Sequence, residues 1–225
     1  MKLFTSPVHP ALPWAIFLLA AIVAAVGREW TFDGQSWTVG AGLVLATTMA
    51  YFASRWPALD QLGAKFSAWL AGALSTGVGG AAIMALFITP MTIWNSLRNP
   101  WYNRFDALLV TSGDAPFFDT NGEPYLVPNA GQNPTTMALT ALIIFLFLAT
   151  AALVGLAIGL ATTVTTKVII VGAAIVAGFA TVVWSSAPSF YNMWQKPVAI
   201  AIGCGVSLLA CAWVFTRQRK QASYS

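Results

Sequence analysis

Met137-ALTALIIFLFLATAALVGLAIGLAT-Thr163 is a run of 27 residues without a single Asp, Glu, Lys or Arg. A bilayer core of roughly 30 Å takes about 20 mostly apolar residues per helix, so this run is long enough to cross a membrane. Five similar runs flank it: Ala11 to Gly27, Trp37 to Ala53, Phe66 to Thr89, Val168 to Trp184 and Val198 to Phe215. Together the six hold 120 of the 225 residues. Composition agrees: 58% of positions are apolar, 8% are charged and mean hydropathy is +0.73, where a soluble domain carries about a quarter charged residues. The expected fold is an all-α integral membrane bundle of about six transmembrane helices. The first run also resembles a signal-peptide core ending at Ala24-Ala25-Val26-Gly27, but its length, Trp14 and the span that follows favour an uncleaved helix.

Lys and Arg resist translocation and collect in cytoplasmic loops. With the N-terminus inside, Lys2, Arg55, Lys65, Lys167, Arg217, Arg219 and Lys220 are cytoplasmic, and Arg28, Arg98, Arg104 and Lys196 are external. Seven against four predicts N-in and C-in. Six of the seven acidic residues fall outside, all but Asp60, so the net charge of +4 is a topology signal and not a nucleic-acid footprint. Trp30, Trp37, Trp94, Trp101, Trp184, Trp194 and Tyr191 mark the outer helix ends, and Trp56 with Trp69 the inner ones, as headgroup-level belts. The expected localisation is the cell (inner) membrane, with bound lipids and other membrane subunits as partners.

Three segments result: spans one to three over residues 1–89, an extracytoplasmic loop over 90–136, and spans four to six with a basic tail over 137–225. The loop is about 47 residues long, and a connection of that length is usually functional or disordered. In it Asn121-Gly122 lies between Phe117-Phe118 and Tyr125-Leu126-Val127 and suits a hairpin turn; Pro124 keeps the ladder short. Upstream, Trp94, Leu97, Trp101, Phe105 and Leu108 recur at helical steps and predict an interfacial helix, interrupted at Pro100. On the cytoplasmic side, Trp56, Leu59, Leu62 and Phe66 form one stripe of a short helix with Pro57 in its first turn. That stripe, with Trp94, Trp101, Phe117, Phe118 and Tyr125, supplies the candidate partner-docking residues; a turn of helix resting on lipid is the simpler reading of the stripe.

Helices in lipid associate by close approach at small residues. The candidate packing positions are Gly72, Gly77, Gly79 and Gly80 in span three, Gly155 and Gly159 in span four, and Gly172 and Gly178 in span five. Packing within the chain is the first expectation for them, and a subunit contact the second. No internal repeat is evident.

The chemistry is bounded by what the runs lack. One histidine, His9, argues against haem, copper and di-iron centres in the bundle, and no cofactor is predicted. Cys204 and Cys211 lie two turns apart on one helix, about 10 Å, beyond disulfide reach. Charge-free spans disfavour proton relays and voltage sensors. No nucleotide-binding loop, nucleophile elbow or zinc spacing occurs. No metal site is predicted: the external acids Asp106, Asp114, Asp119 and Glu123 are candidates for a divalent cation, but Asp119-x-Asn121-Gly122-Glu123 lacks the full calcium-loop spacing, and solvated turn residues are the favoured reading.

The leading functional expectation is a non-catalytic multi-pass membrane subunit of a larger complex. The first alternative is the permease subunit of a transporter energised by a separate ATPase, docking through the 54–66 element. The second is an enzyme acting on a lipid-linked substrate through the external loop.

Overall fold

The structure, a computed structural model, describes residues 2–6, 8–31, 34–99, 102, 106–112, 117–118, 121, 124–125, 128–185 and 195–222. Its helices are α1 (Lys2–Thr5), α2 (Ala11–Gly27), α3 (Gly34–Ala53), α4 (Trp56–Gln61), α5 (Phe66–Arg98), α6 (Pro134–Leu160), α7 (Val164–Ser185) and α8 (Gln195–Ala222). Two two-residue strands, β1 (Phe117–Phe118) and β2 (Pro124–Tyr125), pair antiparallel, with Phe117 opposite Tyr125. The protein is helical, and four stretches are long and apolar enough to cross a membrane: Gly34–Gln61, Phe66–Arg98, Asn129–Leu160 and Lys196–Trp213. Two further apolar helices, Ala11–Gly27 and the Val164–Val176 part of α7, are shorter.

α3 packs along α6, α5 packs on α6 and α2, and α8 attaches to α6 and α7. α7 lies at the edge, against α8 and more lightly against α6. The core between α2, α3, α5 and α6 holds Phe17, Leu45, Met49, Met84, Ile88, Ile144 and Leu148. Leu19, Leu86, Ile175 and Leu209 project outward, as apolar side chains do when the surrounding medium is lipid.

Small residues set the spacing. A Cβ on Gly155 would run into the carbonyl of Ala46, and one on Gly159 into that of Ala50, so α6 lies backbone-to-backbone on the Ala46/Ala50 face of α3. Gly77 receives Met49 and Ala152, while Gly79 and Gly80 receive Trp14 and Phe17. Gly72 is buried in α5. Each of these contacts is within the chain. Gly172 has nothing within 4 Å, and the surroundings of Gly178 lie outside the described residues.

Of the interfacial helix expected over Trp94 to Val110, the first part is the end of α5, and residues 100, 101 and 103–105 lie outside the described residues. α5 continues through Pro90 to Arg98, so Trp94 and Leu97 belong to its last turns. Proline is tolerated within membrane helices because neighbouring groups satisfy the freed carbonyl. The chain turns extended at Asn99, and residues 106–110 form an irregular, buried segment. α6 then begins at a capping box: Asn133 Oδ1 accepts from Thr136 N at 3.0 Å, and Asn133 N donates to Thr136 Oγ1 at 2.9 Å. Pro134 occupies the first turn, where its missing N–H is least costly.

Candidate functional site

Two clusters occupy opposite ends of the bundle. At the first, Phe4, Phe52, Trp56, Phe66 and Trp69 meet with ring centroids 5.0 to 5.7 Å apart. Offset and edge-on ring pairs of this kind add about 0.5–1.5 kcal/mol each beyond their burial. Trp56 and Phe66 of the expected docking stripe are therefore packed into their own bundle. Leu59 is partly buried, and Leu62 is 83% exposed.

The second end is polar. Arg28 caps α2 and is 2% exposed. Its Nε donates to Ala24 O at 3.2 Å, and its Nη1 to Ile88 O at 3.3 Å and to Thr92 Oγ1. Its Nη2 donates to Gly34 O at 3.0 Å and Thr38 Oγ1 at 2.6 Å. A guanidinium has five N–H donors, and here every one is placed, on α2, α3 and α5. The backbone oxygen of Arg28 in turn accepts from Asn95 Nδ2 at 3.5 Å. All five acceptors are neutral, so the charge is solvated by dipoles and not by an adjacent carboxylate.

The nearest buried acid is Asp106, 1% exposed. Its Oδ1 accepts from Leu108 N at 3.0 Å, and the Tyr102 hydroxyl stands beside its carboxyl. Both crowd Gly34, where an added Cβ would collide with the Tyr102 hydroxyl and lie 2.8 Å from Asp106 Oδ2. Burial pushes the Asp106 carboxyl above the ordinary carboxylate range, opposed by the charge of Arg28. Burial, reinforced by Asp106, also raises the Tyr102 phenol, which stays neutral.

Asp106 begins a plug, residues 106–110, that ties four helices together. Ala107 N donates to Gln35 Oε1 on α3 at 3.3 Å, and Val110 N to Thr140 Oγ1 on α6 at 3.0 Å. Lys196 Nζ on α8 donates to the carbonyls of Asp106 at 3.3 Å and Leu109 at 2.8 Å. Gln132 Nε2 bridges Val110 O at 3.1 Å and Ser96 Oγ on α5 at 3.4 Å. Gln132 is placed by Asn129, Ala130 and Gly131, which have φ of 55°, 51° and 71°. The left-handed region is uncommon for alanine, and the consecutive residues turn the chain sharply back onto the bundle.

Sequence reasoning placed Arg28, Asp106 and Lys196 in external loops; the structure buries the side chains of Arg28 and Asp106 and turns that of Lys196 onto the plug. Of the candidate metal ligands, Asp106 is thus committed to the plug, while Asp114, Asp119 and Glu123 lie outside the described residues, as does Trp101. Phe117, Phe118 and Tyr125 are in the strand pair. Among the described residues, no three of His, Cys, Asp and Glu come together. The free cysteines lie along α8, with Cys211 buried and Cys204 half-buried.

Comparison with family models, with curated proteins and with solved structures finds no match for this chain.

Proposed function

We propose that this chain is a non-catalytic membrane subunit of a larger assembly in the cell membrane, a bundle of six spans with both termini cytoplasmic and α7 as its contact helix. The observation that carries the reading is the stance of α7. It is attached mainly through α8, it presents Val168, Ile169, Ile175 and Val176 outward, and its Gly172 has open space where a Cβ would stand. Small-residue positions admit close helix approach in lipid, and those of α5 and α6 are already occupied from within. The polar groups at the arginine end support a scaffold role, because the donors of Arg28 and the bonds of the plug hold helices of this chain. The permease alternative has less support, since Trp56 and Phe66, which a docking element would present, are packed on Trp69.

The test is site-specific photo-crosslinking in native membranes from Ile175 on α7, with Leu19 on α2 as control. The expected result is protein adducts of constant mass from Ile175 and lipid adducts alone from Leu19, together with recovery in a complex larger than the chain. A lone monomer whose Ile175 captures only lipid would overturn the reading.

A further inference from the structure

We propose that the cleft between the C-terminal ends of α2 and α5 holds the headgroup of an amine-bearing phospholipid, with its phosphate on Arg98 and its ammonium on Glu29. The proposal rests on the chain spanning a membrane and is independent of its membership in an assembly.

The cleft has a volume of about 240 Å³ and is lined by Glu29, Trp30, Thr31, Asn95, Arg98 and Tyr102, among others. Drug-sized ligands occupy roughly 300–1,000 Å³, so this space suits a small polar group. Its two charges are of opposite sign and loosely joined. Arg98 Nη1 and Glu29 Oε2 are 3.5 Å apart, longer than the roughly 2.7–2.9 Å of a close charge-assisted bond. The Arg98 side chain is 62% exposed, and its Nε and Nη2 have no protein partner among the described residues. A planar guanidinium in that state presents paired donors that fit phosphate oxygens. Its plane is steadied over the Trp94 ring, 5.7 Å from the centroid.

Beneath this pair run two exposed apolar stripes. On α2, Leu18, Ile22 and Val26 lead by steps of four, four and three to Glu29; on α5, Phe87 and Trp94 lead by steps of seven and four to Arg98. Each stripe lies on one face of its helix, and the Glu29–Arg98 contact brings the two together at the top. Trp30 and Trp94 are exposed beside the cleft, where indoles prefer the headgroup level. The result is an apolar track for acyl chains crowned by one cation and one anion. Glu29 supplies the selectivity: its carboxylate accepts a hydrogen bond from a primary ammonium, cannot do so from a quaternary one, and repels a headgroup with no positive charge.

The chemistry is that of an aminoalkyl phosphate, and native mass spectrometry of the full chain released from micelles can separate its sources. Phosphatidylethanolamine, phosphatidylglycerol and phosphatidylcholine with identical acyl chains would be compared, along with soluble O-phosphoethanolamine. The expected result is retention of phosphatidylethanolamine about fivefold over the other two lipids, with weaker binding of the soluble compound. Arg98→Gln should lower that retention by a similar factor. Glu29→Gln should transfer the preference to phosphatidylglycerol, an inversion that loss of fold would not produce. Equal retention of the three lipids by the wild type, soluble headgroup binding as tight as the lipid, or an unchanged preference in Glu29→Gln would each overturn the proposal.

Discussion

The two ends of the bundle solve one problem by opposite means. At the tryptophan end, α1, α4 and α5 meet through Phe4, Trp56, Phe66 and Trp69, a contact of ring faces and edges in which Trp69 is fully buried while its Nε1 has no hydrogen-bond partner among the described residues. The ring is there for its area. At the arginine end, α2, α3 and α5 meet through directional bonds to one guanidinium. Burial energy varies smoothly with the shape that fills a space, whereas a polar network left partly satisfied costs more than its share of bonds. The aromatic end should therefore tolerate substitution by degrees, and the arginine end should fail as a unit.

The largest effect is expected at Arg28. Arg28→Met fills similar volume but deletes five donors and removes a positive charge that acts on Asp106. Leaving a buried acceptor without its donor typically costs about 1–3 kcal/mol, and Arg28 serves five such acceptors. Hydrogen exchange in detergent should show faster exchange at Leu108 and Leu109, with the amides around Trp69 unchanged. Arg28→Lys should rescue little, because an ammonium has three donors and cannot span acceptors on three helices. Rescue by lysine would mean that charge alone, and not the fork of donors, holds this end.

Trp69→Ala is the matching break at the other end. Removing a buried Trp usually costs about 3–5 kcal/mol, and less where the site can collapse; a cluster of four other rings at one end of the bundle can, so the lower figure is expected. Exchange should rise in α1 and α4 and leave the plug untouched. Trp69→Phe should recover most of the loss, since Nε1 has no bond to forfeit. The contrast between a graded series at Trp69 and an abrupt one at Arg28 is the measurement that sharpens the comparison.

The difference between the ends also decides what the sequence could disclose. Charge-free runs such as Met137 to Thr163 announce helices because spacing and polarity are local properties, and Gly155 with Gly159 announced a close contact. The arginine end was hidden because its members are local misfits of different kinds. Arg28 stands one residue beyond an apolar run, Asp106 lies within a loop, and Thr38 and Thr92 are isolated hydroxyls on separate helices; only the packing of α2, α3 and α5 makes them neighbours. One trace was available: Ala21, Ala24 and Ala25 precede Arg28 at helical steps, and all are buried, so small side chains clear its inward face. The segment after Trp94 is divided for a related reason. Trp94, Leu97 and Leu108 share a spacing, but α5 claims the first two and the plug the third.

Asp106 offers the finest probe, because it changes a slope and not an offset. Its carboxyl titrates higher in the folded plug than in an open chain, burial outweighing Arg28, the Leu108 N–H and Lys196. The folded site therefore favours the neutral acid: the stabilisation is complete below the ordinary carboxylate value of about 3.9 and fades as pH climbs through the raised value. The phenol of Tyr102 is shifted upward as well and does not titrate in this window. Thermal unfolding of the wild type in detergent should shift to lower temperature as pH rises from the acid side, and Asp106→Asn, which resembles the neutral acid at every pH, should remove that contribution. The control is Trp69→Ala, which lowers stability while keeping the slope. Unfolding that moves to higher temperature with pH, and loses that trend in Asp106→Asn, would show instead that the carboxylate is held charged by Arg28. The arginine end would then be an ion pair joined through space, and its contrast with the aromatic end one of charge rather than of hydrogen-bond geometry.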